Sequence, residues 1–130
     1  YDYGCTIYSG MPFDLQLRVL SGLANKLAVD AIEPHCDAFL GRELSAIVHS
    51  AHIADVELTT DAVHVAAPLS SGAEYYLREK GIWIGLHAEN VSRDDSAAWR
   101  RCFDKKEPEY ALSRSDALFT TIEYQAEAVK

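Results

Sequence analysis

Two histidines three residues apart, in the run His49-Ser50-Ala51-His52, are the part of this chain whose types and spacing best suit chemistry. On a helix that spacing sets both imidazoles on one face, where they can reach the same metal ion. Two ligands do not make a site. Zinc or iron would need a third from Glu57 or His64, with Asp55 orienting an imidazole from behind. The same groups, joined by His87 and Glu89, would also suit proton transfer, because Glu57 facing His64 across two strands would favour the charged imidazole. Helical phase argues against both, since it places His49 and His52 at the flank of an apolar stripe of Leu44, Ile47, Val48 and Ala51, at the edge of a core. The histidines therefore read as boundary residues, with no metal and no other cofactor. A small metal- or ligand-binding enzyme using His49, His52, Glu57 and His64 is the alternative.

Other chemical signatures are weaker. The seven glycines never form G-x-G-x-x-G, none precedes Lys-Ser or Lys-Thr, and there is no G-x-S-x-G, so the common phosphate cradles and the hydrolase nucleophile elbow are missing. Cys36 follows His35 directly, but sequence neighbours leave the backbone in different directions, which is not the geometry of a thiol and its base. Cys5, Cys36 and Cys102 are odd in number and lack any C-x-x-C spacing, which fits reduced, buried thiols in a cytoplasmic protein. Trp99-Arg100-Arg101 with Lys105-Lys106 is the one basic cluster. Helical phase groups Trp99 with Cys102 and Phe103 in a core and leaves the arginines as a solvated face diluted by Glu107 and Glu109. Tyr75, Tyr76 and Trp83 would suit a small-molecule pocket, but core packing is the expected use.

Charge says more. The 130 residues carry 12 basic and 20 acidic side chains, a net −8, and most of the excess lies in residues 1 to 65. Such a field repels nucleic acid and anionic membranes and attracts a basic protein partner. Asp30, Glu33, Asp37, Asp55, Glu57 and Asp61 fall at turn-like or helix-end positions and are the expected partner-binding residues. The reading is an acidic protein-binding module that docks or neutralises a basic protein without catalysis. In composition, though by no motif, it is similar to many bacterial toxin-immunity proteins. The longest uncharged stretch, from Ala62 to Ala73, is far shorter than the ~20 apolar residues that span a bilayer. No basic-then-apolar leader follows Tyr1, so no secretory signal is read, and the missing initiator Met suggests a trimmed or renumbered start.

The elements that would position these groups follow from periodicity. Alternation over Tyr1 to Ser9 predicts a strand, whose edge would serve a homo-oligomer if one forms. From Pro12 and Phe13 a helix runs to Glu33-Pro34, with a core stripe of Phe13, Leu17, Leu20, Ala24, Leu27 and Ala31, widened by Leu15, Val19 and Leu23. Residues 36–52 lean to helix. Asp55 to Ala66 reads as a hairpin turning between Thr60 and Asp61, with Leu58 facing Val63 and Glu57 facing His64. Ser70 or Ser71 would cap a short helix through Arg78, stopped by Gly81 and followed by a central strand, Ile82 to His87. Asp94, Asp95 and Ser96 open a helix to Asp104, and Ser115-Asp116 caps a last helix through Leu118, Ile122 and Val129. The β-branched run Thr120-Thr121-Ile122 keeps a final strand open. The sum is a single domain, 1–130, of α+β class: a mostly antiparallel sheet with a central hairpin and helices packed on one face.

Overall fold

The computed structural model describes residues 6–29, 44–52 and 55–128. The expectations for residues 1–5, for Asp30, Glu33, His35, Cys36 and Asp37, and for Val129 lie outside them. In chain order the elements are β1 (Ile7–Tyr8), α1 (Phe13–Val29), α2 (Leu44–Ser50), β2 (Val56–Ala66), α3 (Ser71–His87), α4 (Arg93–Cys102), a 3₁₀ turn (Ala111–Ser113) and β3 (Leu118–Ala128). The sheet has the order β1-β3-β2 and both pairings are antiparallel. This corrects the sheet-dominated expectation, since half of the structure is helical, in four α-helices, against three strands.

Three misread elements account for the difference. Asp55 to Ala66 does not turn back at Thr60-Asp61, because the whole of β2 finds its hydrogen-bonding partner in β3, from Val56 opposite Ala128 to Ala66 opposite Leu118. Leu58 therefore faces Ala126 and not Val63, and Glu57 faces Glu127 and not His64. The predicted last helix is β3 itself, as the β-branched run allowed. Gly81 does not stop α3, which starts at the cap supplied by Ser70, whose Oγ accepts from the Ala73 N–H, and runs through to His87 in place of the expected strand.

The reason for the helical glycine is in the packing. Gly81 and Gly85 bring the bare backbone of α3 against the Phe103 and Trp99 rings of α4, leaving no room for a Cβ at either position. The Trp99 indole N–H donates to the Gly81 carbonyl at 2.8 Å, which fixes the rotation of one helix on the other. The Tyr8 ring meets Phe103 and Trp99 edge-on, with centroids 5.3 and 6.2 Å away, and lies 5.2 Å from Phe119, so strands and helices share one aromatic core. Buried Gln16 holds Tyr8 in place: its Oε1 accepts from the Tyr8 N–H at 2.8 Å and its Nε2 donates to the Tyr8 carbonyl at 2.6 Å, so a side-chain amide takes the place of a further strand.

Helix α1 turns inward the row expected to widen its stripe, with Leu20 and Leu27 of the main stripe partly buried against the core. Leu15, Val19 and Leu23 are at most 4% exposed, whereas Phe13 and Leu17 are 62% and 50% exposed. Both rows have helical spacing, so periodicity alone does not set the phase. The close crossing of the Glu89 backbone over Gly22, whose carbonyl accepts from the Glu89 N–H at 3.1 Å, locks the row that faces inward. Arg18 ties α1 to α4 through a two-pronged pair with Asp95 at 2.9 and 2.8 Å. Glu74 accepts from the Tyr110 hydroxyl at 2.7 Å and pairs with Lys105 at 2.9 Å.

These contacts generate two predictions. Gly81→Ala gains about 1 kcal/mol of helix propensity but overpacks the buried Phe103 ring, at a cost of about 1–3 kcal/mol. Its urea midpoint should fall, whereas Gly72→Ala, with open space at its Cβ, should raise the midpoint by up to about 1 kcal/mol in unfolding free energy. The second concerns acid. The Arg18 guanidinium holds Asp95 and Asp14 below the usual carboxylate range, and the Tyr110 hydroxyl, followed by Lys105, does the same to Glu74. These groups bind protons less readily folded than unfolded, so their stabilisation is complete above the unfolded carboxylate pKa and is lost as pH falls through the lowered values. Urea midpoints measured between about pH 5 and 3 should decline, and Asp95→Asn should lower the neutral-pH midpoint and flatten that decline.

Candidate functional site

β1 pairs with β3 only at Ile7–Thr120 and Tyr8–Phe119, so beyond Thr120 the described sheet narrows to two strands. The last core-facing pairs are Val65–Phe119 and Val63–Thr121. From there β2 continues through Ala62 to Val56, a reach of roughly 20 Å at about 3.3 Å per residue. Residues Glu57 to Ala62 are all exposed, as are Gln125 to Glu127 on β3. The distal ribbon thus stands clear of the core.

Alternation gives this ribbon two unlike faces. On one, Glu57 lies opposite Glu127, Thr59 opposite Gln125, and Asp61 opposite Glu123. On the other, Leu58 lies opposite Ala126, Thr60 opposite Tyr124, and Ala62 opposite Ile122; the row continues into His64–Thr120, Ile7 and Leu118. One face is acidic and the other largely apolar. Like charges directly opposite each other across strands oppose pairing. Neither strand contains a lysine or arginine, and no described cation forms an ion pair with Glu57, Asp61, Glu123 or Glu127. β2 is also an edge of the described sheet, with one side of its backbone unpaired.

The other candidates are scattered. His49 is exposed on α2 and His52 follows it in the left-handed region, at φ 52°. His64 Nδ1 shares a hydrogen bond of 2.9 Å with Thr120 Oγ1 on the apolar face, and seven positions along one strand place it on the face opposite to Glu57. His87 lies at the end of α3, stacked on Trp83 at 4.4 Å, with its Nδ1–H donating to the Trp83 carbonyl at 2.8 Å. Glu89 pairs with Lys26 at 2.7 Å. Among the described residues no three or more His, Cys, Asp or Glu are placed to hold a metal ion. Tyr75 and Tyr76, expected in the core, are exposed, because α3 turns Leu77, Gly81 and Ile84 inward instead. Cys102 is a buried free thiol, and burial followed by the nearby Glu109 pushes its pKa up, away from nucleophilic activation.

Of the acidic residues singled out in the sequence, Glu57 and Asp61 fall on the acidic face, and Asp55 is exposed just before β2. Glu123 and Glu127 were missed. Their signal is the alternation of Ile122, Tyr124 and Ala126 with Glu123, Gln125 and Glu127, a period of two. Comparison of the chain with protein-family models, with curated proteins and with solved structures gives no significant match. No helix among the described residues is long and apolar enough to cross a membrane.

If the facing carboxylates oppose pairing, reversing one of them should help the free protein. Asp61→Lys, opposite Glu123 and nearest the body, should raise unfolding free energy by roughly 0.2–1 kcal/mol, with Asp61→Asn giving a smaller rise. Urea denaturation at low salt measures both.

Proposed function

We propose that this protein is a non-catalytic binding module, inhibitor-like or immunity-like in action, that docks a basic protein on the acidic face of the β2–β3 ribbon. The observation that carries this reading is the pair of facing carboxylate couples, Glu57–Glu127 and Asp61–Glu123, with no cation among the described residues to answer them. Charged side chains also protect an exposed edge strand from unwanted pairing, but lysines would serve that end as well and would pair favourably with acids opposite. Acids on both strands instead leave a repulsion within the free protein that a cationic surface relieves on binding.

The rest of the charge distribution supports the same view. On the helical body, several arginines and lysines are matched internally: Arg18 with Asp14 and Asp95, Lys26 with Glu89, Arg101 with Glu109, and Arg114 with Asp116. Among the described residues, four unmatched carboxylates lie together on the ribbon, where Glu57, Asp61 and Glu127 are exposed. The buried, free Cys102 suits a reducing compartment such as the cytoplasm, which is where we place the encounter.

The test uses the full chain as bait in an extract of its native source, beside a variant in which Glu57, Asp61, Glu123 and Glu127 are all changed to Lys. The expected result is a basic protein, identified by mass spectrometry, held by the wild type at about 0.05 M salt and released at about 0.5 M, and not held by the variant. Capture that is equal for both baits, or insensitive to salt, would refute the proposal.

A further inference from the structure

The basic cluster around Trp99 has no part in the ribbon, yet the fold does not neutralise all of it. Arg101 pairs with Glu109 at 3.6 Å and Lys105 with Glu74 at 2.9 Å. Arg100 and Lys106 have no carboxylate partner among the described residues, and both border a groove of about 450 Å³ between α3 and α4. That volume falls within the range of small-molecule sites, roughly 300–1,000 Å³. Its walls follow from helical spacing. Arg78, Ile82 and Leu86 succeed one another by turns of α3, while Ser96, Arg100 and Phe103 do so on α4. Gly85, with no side chain, lets the Trp99 ring seat directly on α3 at the base of the groove.

Three features suit this groove to an anion with an apolar body. Ile82, Trp99 and Phe103 give an apolar floor, and Leu86, 75% exposed, stands at its lip as an apolar side chain that water surrounds. Arg78, Arg100 and Lys106 give the border three cations in a chain whose net charge is −8. Arg78 Nη1 donates to Glu79 at 2.7 Å, but its buried Nε has no acceptor among the described residues, a deficit that a ligand oxygen would remove. Asp104 lies on the same border and opposes a multiply charged head group. We infer that the α3–α4 groove binds a small amphipathic monoanion, an aliphatic or aromatic body carrying one carboxylate, with the carboxylate at Arg78, Arg100 and Lys106. This site is separate from the acidic ribbon, and binding at one does not require the other.

Trp99 reports on the groove directly. In a Trp83→Phe variant it is the remaining tryptophan, and its fluorescence is followed while decanoate, kept below its micelle concentration, is added. A saturable change is expected, with binding at least tenfold weaker for decanol and at least tenfold weaker for decanoate with the Arg100→Gln/Lys106→Gln double variant. Leu86→Glu, an exposed change, should abolish the response. Titration calorimetry on the wild type gives the same readout should Trp83→Phe not fold. No saturable signal, equal affinity for decanol, or a double variant that binds decanoate as the wild type does would each overturn the inference.

Discussion

The seating of two aromatic rings on bare helical backbone governs this structure. Gly81 and Gly85 let the Phe103 and Trp99 rings approach α3 more closely than any other residues would allow, and the indole hydrogen bond to the Gly81 carbonyl fixes the registration. Tyr8 then leans on the same rings and carries β1 with it. Through β1 the position of β3 is set, and through β3 that of β2. Packing between two helices is thus linked, through Tyr8 and β1, to the β2–β3 ribbon that continues the sheet.

This dependence explains what sequence reading recovered and what it did not. Helix α4 was legible because Asp94, Asp95, Trp99 and Phe103 each carry a local signal of dipole or phase, although its cap is Ser92 and Ser96 lies within the helix. So was the start of α1 after Pro12. Gly81 was misleading because its local meaning, a stop, is overridden by a ring that arrives from α4. The single long strand β2 was broken in two on paper because its partner lies far along the chain, and only that partner makes Thr60-Asp61 a ladder position instead of a turn. For the same reason Glu57 and Asp61 could be picked out as exposed acids while Glu123 and Glu127 could not be matched to them. Charge is written residue by residue, but opposition across a sheet is a property of register.

The two surfaces with functional character divide the charge between them. Acids gather on a ribbon that has no lysine or arginine, and Arg100 and Lys106, without a carboxylate partner among the described residues, border an apolar groove on the helical body. Net charge alone would describe a uniformly negative particle. The fold instead leaves Arg100 and Lys106 together at one groove, where a locally favourable field persists within a Debye length despite the overall balance.

The separation of β2 from β3 along the chain has a consequence for biosynthesis. β2 ends at Ala66 and β3 begins only at Leu118, so during translation the first strand emerges with its apolar alternate positions uncovered while α3 and α4 are still being made. An unmatched strand of that kind invites association with identical neighbours on a polysome. Glu57 and Asp61 put negative charge within it from the moment it leaves the ribosome, and two nascent copies aligned side by side would bring these carboxylates together. The acids that weaken the finished ribbon therefore also guard its unfinished half until the correct mate arrives.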